Sequence, residues 1–307
     1  MKSILFNIIN RKIGISMLLL TLVLGSIKIF AESSNLLLGY KLENPDKVIV
    51  LPSTLNEVSG VTRIDDKTVA FVQDENGILF LFDLIDGKIK QQYKFHIDGD
   101  YEGITKVNQT LYVLRSDGTL FEISNYTSPD FKLKSYITGI PANNNEGLCY
   151  DVLNNRLLIA CKNSPGKGEE FKDKRMIYGF DLKSKKLYSQ PVFSFDLSDI
   201  RKFISKKGIN VPYHSKINGM VNEPIVRFRT SAIDFHPITK KLYLLSAADH
   251  LLFVFDNKGN PEHIEKLDPV MFNKSEGITF FENGDMLITN EAQNKKPTLL
   301  RFNYQLK

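Results

Sequence analysis

The chain has 307 residues, 42% hydrophobic and 24% charged, which excludes a disordered or low-complexity protein. Its net charge of +5 does not describe a nucleic-acid footprint. Lys2, Arg11, Lys12 and Lys28 lie in the first 31 residues with no acid, so only +1 remains for the rest.

Those first residues read as an export signal or a membrane anchor. A basic start is followed by an apolar or small stretch from Ile13 to Ile27. That stretch is short for a bilayer span and suits a signal-peptide core. Cleavage after Ala31 releases a soluble domain; an uncleaved helix from Ile13 to Phe30 tethers it. Either way the expected location is outside the cytoplasm, soluble or tethered to the membrane. Residues 32–46 then read as a linker.

From residue 47 to the end the sequence repeats. Five segments open with one pattern: Glu57-Val58-Ser59-Gly60, Asp100-Tyr101-Glu102-Gly103, Asn145-Glu146-Gly147, Arg229-Thr230-Ser231-Ala232 and Lys274-Ser275-Glu276-Gly277. The small residue recurs at spacings of 43, 44, 85 and 45. Each motif starts a short apolar strand. A second follows at Thr68–Val72, Thr110–Leu114, Arg156–Cys161, Lys241–Leu245 and Asp285–Thr289. Third strands and, in most units, a fourth such as Lys88–Phe95 complete the set. Four strands in roughly 45 residues is the signature of a β-propeller blade. The last unit ends at its third strand, and the lone strand 47–51 is expected to close the ring by pairing there.

The long spacing leaves five or six blades open. Its interior does not read as four strands. Ile200, Phe203 and Ile204 sit at helical spacing, with Asp196 or Ser198 as cap and Gly208 as stop. The reading is therefore five blades, the third carrying a helix-bearing excursion over about 196–227. Cys149 and Cys161 flank a hairpin; a turn centred on Asn155 sets them opposite each other as a candidate disulfide. A register shift leaves two buried free thiols instead.

The opening motifs, with Cys149-Tyr150-Asp151, Arg156-Leu157-Leu158-Ile159-Ala160-Cys161-Lys162 and Ser275-Glu276-Gly277-Ile278-Thr279, resemble the SdiA-regulated (YjiK-like, calcium-regulated β-propeller) family. The resemblance spans roughly Val48 to Tyr304. It implies a five-bladed propeller distantly similar to NHL-repeat propellers, a calcium site and a place in the bacterial envelope, and no settled enzymatic activity. Ser59 and Ser231-Ala232 depart from the repeated Glu-Gly, so those two blades are the doubtful contributors to an ion site.

Ring symmetry brings the residue before each small one to a single axis: Ser59, Glu102, Glu146, Ser231 and Glu276. Glu102, Glu146 and Glu276 must then share protons or hold a cation. Three carboxylates with carbonyl and water ligands suit Ca2+, and the lack of soft ligands argues against zinc or copper. A hydrated polar channel mouth without a metal is the alternative. Asp74, Arg115, Lys162 and Glu291, at second-strand ends, are the candidate ligand-binding residues. Asp74, Asp117 and Asp249 equally suit tight turns. His250 is the one histidine placed to reach the mouth as a base, and an exposed turn histidine is the simpler reading. The function expected is a non-catalytic calcium-binding propeller, monomeric, serving a small ligand or an envelope protein, with no nucleic-acid partner. The rival is a calcium-dependent phosphoesterase or lactonase using the same mouth.

Overall fold

A computed structural model describes residues 38–214 and 223–305. The export or anchor segment 1–31 lies outside the described residues. Among the described residues no helix is long and apolar enough to cross a membrane.

Among the described residues the strands form five four-stranded antiparallel sheets, with one further two-stranded ribbon, Tyr213–His214 with Glu223–Pro224, in the excursion. The first blade comprises Val58–Arg63, Thr68–Gln73, Ile78–Asp83 and Lys88–Lys94. The second comprises Tyr101–Val107, Thr110–Arg115, Thr119–Ser124 and Lys132–Ile137. The third comprises Asn145–Asp151, Arg156–Cys161, Lys174–Asp181 and Lys186–Asp196. The fourth comprises Ala232–Phe235, Leu242–Ser246, Leu251–Phe255 and Pro261–Lys266. The fifth takes Ser275–Phe280, Met286–Asn290 and Thr298–Phe302 from the end of the chain and Lys47–Val50 from its start. Lys47 pairs with Arg301 and Val50 with Thr298, antiparallel, so strands from both ends of the chain complete one sheet. The five first strands contact each other in a closed ring. The fold is a five-bladed β-propeller.

Its core is divided into five apolar clusters, one at each interface between neighbouring blades. Strand alternation explains this. In the fourth blade Leu242 and Leu244 enter the cluster shared with the third, while Tyr243 and Leu245 enter the one shared with the fifth. Middle strands are covered on both faces and therefore read as continuous apolar runs rather than alternating ones.

The excursion carries helix α1 (Leu197–Lys207). The Asp196 side chain accepts from the Ser198 amide at 2.8 Å, and Gly208 ends the helix at φ 64°. Leu197, Ile200 and Ile204 seal the cluster between the third and fourth blades. Residues 215–222 of the excursion lie outside the described residues.

The disulfide expectation is corrected. The hairpin is centred between Leu153 and Asn154 rather than on Asn155, which moves the partner of Cys149 by three residues: Cys149 faces Leu158, and Cys161 faces Asn145. The two side chains enter different clusters, Cys149 with the fourth blade and Cys161 with the second. Both are free, buried thiols.

The acidic mouth as candidate functional site

In four blades the first strand is interrupted at its opening by a β-bulge. The pairing skips from Val58 to Gly60, from Tyr101 to Gly103, from Asn145 to Gly147 and from Ser275 to Gly277. The skipped residues are Ser59, Glu102, Glu146 and Glu276. A bulge re-aims the side chain it carries, here toward the axis. The following glycine is needed because the next blade's first strand passes close by. A Cβ on Gly103 would lie 2.9 Å from the Glu146 carbonyl oxygen and 2.8 Å from Leu148 Cβ.

Ser59, Glu102, Glu146 and Glu276 line one axial cavity of about 10 Å³, room for one water or ion. Glu146 is 2% exposed and Glu276 6%; Glu102 is half-buried. The serine blades act differently. Ser59 Oγ donates to the Tyr101 carbonyl at 2.5 Å, and Ser231 Oγ to the Ser275 carbonyl at 2.7 Å. Each serine ties its blade to the next one and carries no charge to the axis.

A second layer lies two residues upstream of the bulges. There the second-strand ends bond back to the chain: the Asp74 amide donates to the Glu57 carbonyl, Ser116 to Asp100, Lys162 to Asn144 and Glu291 to Lys274, all between 2.9 and 3.2 Å. This geometry sets Lys162 against Glu146, where Nζ meets Oε1. Lys274 contacts Glu291 and lies 3.7 Å from Glu276. Glu57, Asp74 and Glu291 each bring a carboxylate oxygen within 4.8 Å of the others.

The electrostatics follow from burial and crowding. Burial, then Glu146, Asp100 and Glu276, pushes the Glu102 carboxyl up to about 9. Burial and Glu276 push Glu146 to about 8 against the pull of Lys162. Burial and Glu276 hold Glu291 at about 8 against Lys274. Burial and Glu57 raise Asp74 to about 6, and burial raises Glu276. Burial lowers the two lysines, but their carboxylate partners outweigh it and hold both above the ordinary range. Glu146 Oε2 and Asp74 Oδ1 are buried without a hydrogen-bond donor among the described residues. The site is thus a pool of hard oxygen ligands with more carboxylate than cation.

Of the residues expected from sequence, Glu102, Glu146 and Glu276 line the axial cavity without bringing three carboxylate oxygens within 4.8 Å of one another, as Glu57, Asp74 and Glu291 do, and Lys162 lies against Glu146. Arg115 stands apart. Its guanidinium forks onto Asp117 at 3.1 and 2.7 Å and lies 5.6 Å from the centroid of the Phe121 ring. Asp117 also accepts from the Thr119 amide, and Asp249 accepts from the Arg227 and Phe228 amides, as turn and cap residues do. His250 Nδ1 is tied to the Phe272 carbonyl at 3.0 Å. Glu57, Asp100 and Lys274 were not anticipated. The signal was present in the repeat itself: all three stand two residues before the bulged position of their motif, at the point where the second strand of the blade ends.

No protein family and no curated protein matches the sequence. Among solved structures, the chain is similar to Myxococcus xanthus glutaminyl cyclase, with a TM-score of 0.57 and 13% identity, covering 85% of this chain and 95% of that one. Streptogramin B lyase follows at a TM-score of 0.45 and 14% identity, covering 84% and 97%. A luciferin-regenerating enzyme gives 0.46 and 10%, covering 85% and 95%. At such identities the first of these likenesses speaks for the fold alone: the chain is a β-propeller.

Proposed function

We propose that the chain is an exported, calcium-binding propeller of the bacterial envelope that uses its acidic mouth to bind a small ligand or protein partner without catalysis. The observation that carries the cation is Glu146. This side chain is 2% exposed and lines the axial cavity; Lys162 pairs with its Oε1, while Oε2 is buried with no donor among the described residues. One lysine thus covers one oxygen, and the buried second oxygen costs free energy unless it is protonated or met by a further cation. Glu102, Glu146 and Glu276 would hold the ion, with backbone carbonyls and water completing its shell. All donors are oxygen, as Ca2+ prefers. The ion would supply the positive charge that the two mouth lysines do not fully provide.

Export rests on residues 1–31 of the sequence. The non-catalytic reading is supported by the mouth's chemistry. Its acids are crowded or paired with lysine, and none of the five histidines lines the axial cavity.

The test is calorimetric titration of metal-free protein with calcium, alongside turnover assays on phosphoester and lactone substrates. The proposal expects saturable binding and no turnover. Calcium-dependent hydrolysis lost in Glu146→Gln would assign the mouth to a hydrolase instead. Absence of calcium binding would remove the metal from the account.

A further inference from the structure

We propose that Lys162 and Lys274 are tethered counter-ions, seated on the mouth carboxylates in the metal-free protein and displaced toward solvent when a divalent cation binds. The inference rests on the calcium reading above and concerns how that site is regulated.

Three features point to exchange. First, the lysines hold the oxygens an ion would need. Lys162 Nζ meets Glu146 Oε1, and Lys274 Nζ bridges Glu291 and Glu276. An ammonium and a metal ion compete for the same oxygen lone pairs. Second, the two kinds of group differ in anchoring. The Glu146, Glu276 and Glu291 side chains are 2%, 7% and 4% exposed and sit at or beside strand bulges and ends. The lysine side chains are 29% and 33% exposed, on flexible four-carbon stems that reach the surface. The carboxylates stay in place while the lysines can leave. Third, the exchange is incomplete without a better cation. Glu146 Oε2 has no donor among the described residues even with Lys162 in place. Two ammonium groups also face more carboxylates than they can pair: Glu102, Glu146 and Glu276 at the cavity and Glu57, Asp74 and Glu291 beside it.

A divalent ion brings twice the charge of an ammonium to the axis and repels both lysines from it. Ion binding would then do two things. It would neutralise the buried acids, and it would turn two buried ion pairs into two ammonium groups presented at the rim. The lysines also set the affinity, because each must be displaced before the ion is fully ligated.

The experiment compares amine acetylation of every lysine by mass spectrometry, in chelator and in calcium. Lys202, on the exposed face of α1 and 76% exposed, serves as the unchanging reference. Lys162 and Lys274 should become severalfold more reactive with calcium, relative to Lys202. Lys162→Met, which keeps the apolar stem and removes the competing charge, should tighten calcium binding by about tenfold, the scale of one ion-pair coupling. The parent measurement stands alone if that variant fails to fold. Calcium binding with unchanged or reduced reactivity at both lysines overturns the displacement and leaves the calcium reading intact. No calcium binding by the parent overturns both.

Discussion

The carboxyls held above their ordinary range make the metal-free propeller sensitive to alkali in a way that calcium should abolish. A glutamate raised from 4.5 to about 8, as Glu146 is, keeps its proton in the fold after the unfolded chain has released it. Between those values the folded state binds more protons, so stability falls as pH rises. From pH 6 to pH 8 one such group removes about 2 kcal/mol, at 1.36 kcal/mol per unit less the half-titration at its midpoint. Glu102, raised to about 9, adds to the slope, but it shares its repulsion with Glu146, so the two effects do not sum. For a domain of this size the unfolding midpoint should fall by about 4–8 °C. Calcium at a hundred times its Kd returns about 2.7 kcal/mol, and it binds the ionised form more tightly as pH rises. The assay is thermal unfolding by circular dichroism at pH 6, 7 and 8, in chelator and in millimolar calcium. The chelated midpoint should drop with pH, and the calcium-loaded one should not. A chelated midpoint that is flat or rises over this range would refute the reasoning about the buried acids. A fall of equal size with calcium present would refute its link to the ion.

Other expectations concern the scaffold. Removing residues 32–51 deletes the closing strand, the buried Leu51 and the buried Tyr40, and should cost about 4 kcal/mol or more by denaturant titration; unchanged unfolding would show that the ring does not need its closure. Gly103→Ala places a Cβ against the next blade's backbone and should destabilise by about 1–3 kcal/mol in the same assay. Cys149 and Cys161 should both react with a thiol reagent in denaturant without prior reduction and neither in the native state; a lack of reactive thiol in denaturant would contradict the free-thiol register.

The fold was legible because its repeat has a physical cause. The glycine at 60, 103, 147 and 277 marks where inner strands crowd at the axis, and the residue before it, Ser59 or a glutamate, marks a bulge. The helix was legible through its two ends, Asp196 and Gly208, which are local chemistry. The cysteine register was not, since it depends on how the turn is built. Asp151 accepts from the Asn154 amide and from Arg156, and Asn155 takes φ 48°, which fixes Asp151 opposite Arg156 and centres the turn between Leu153 and Asn154 rather than on Asn155. The mouth was legible as a set of acids but not as a balance of charges. Lys274 and Glu57 belong to the layer above the bulges, where each faces the second-strand end of its own blade, Glu291 and Asp74, and only the folded ring shows that Glu291 of the fifth blade comes within 4.8 Å of Glu57 and Asp74 of the first. Arg115 looked equivalent to Lys162 by position, yet its own blade supplies Asp117, which captures it.

The central claim is that the axial glutamates hold calcium. Crystals of the propeller domain grown in calcium, with anomalous differences collected at long wavelength, test it most directly. The account predicts a peak on the axis within about 2.3–2.6 Å of oxygens from Glu102, Glu146 and Glu276. A map with no peak there, or with its peak among Glu57, Asp74 and Glu291 instead, would contradict it.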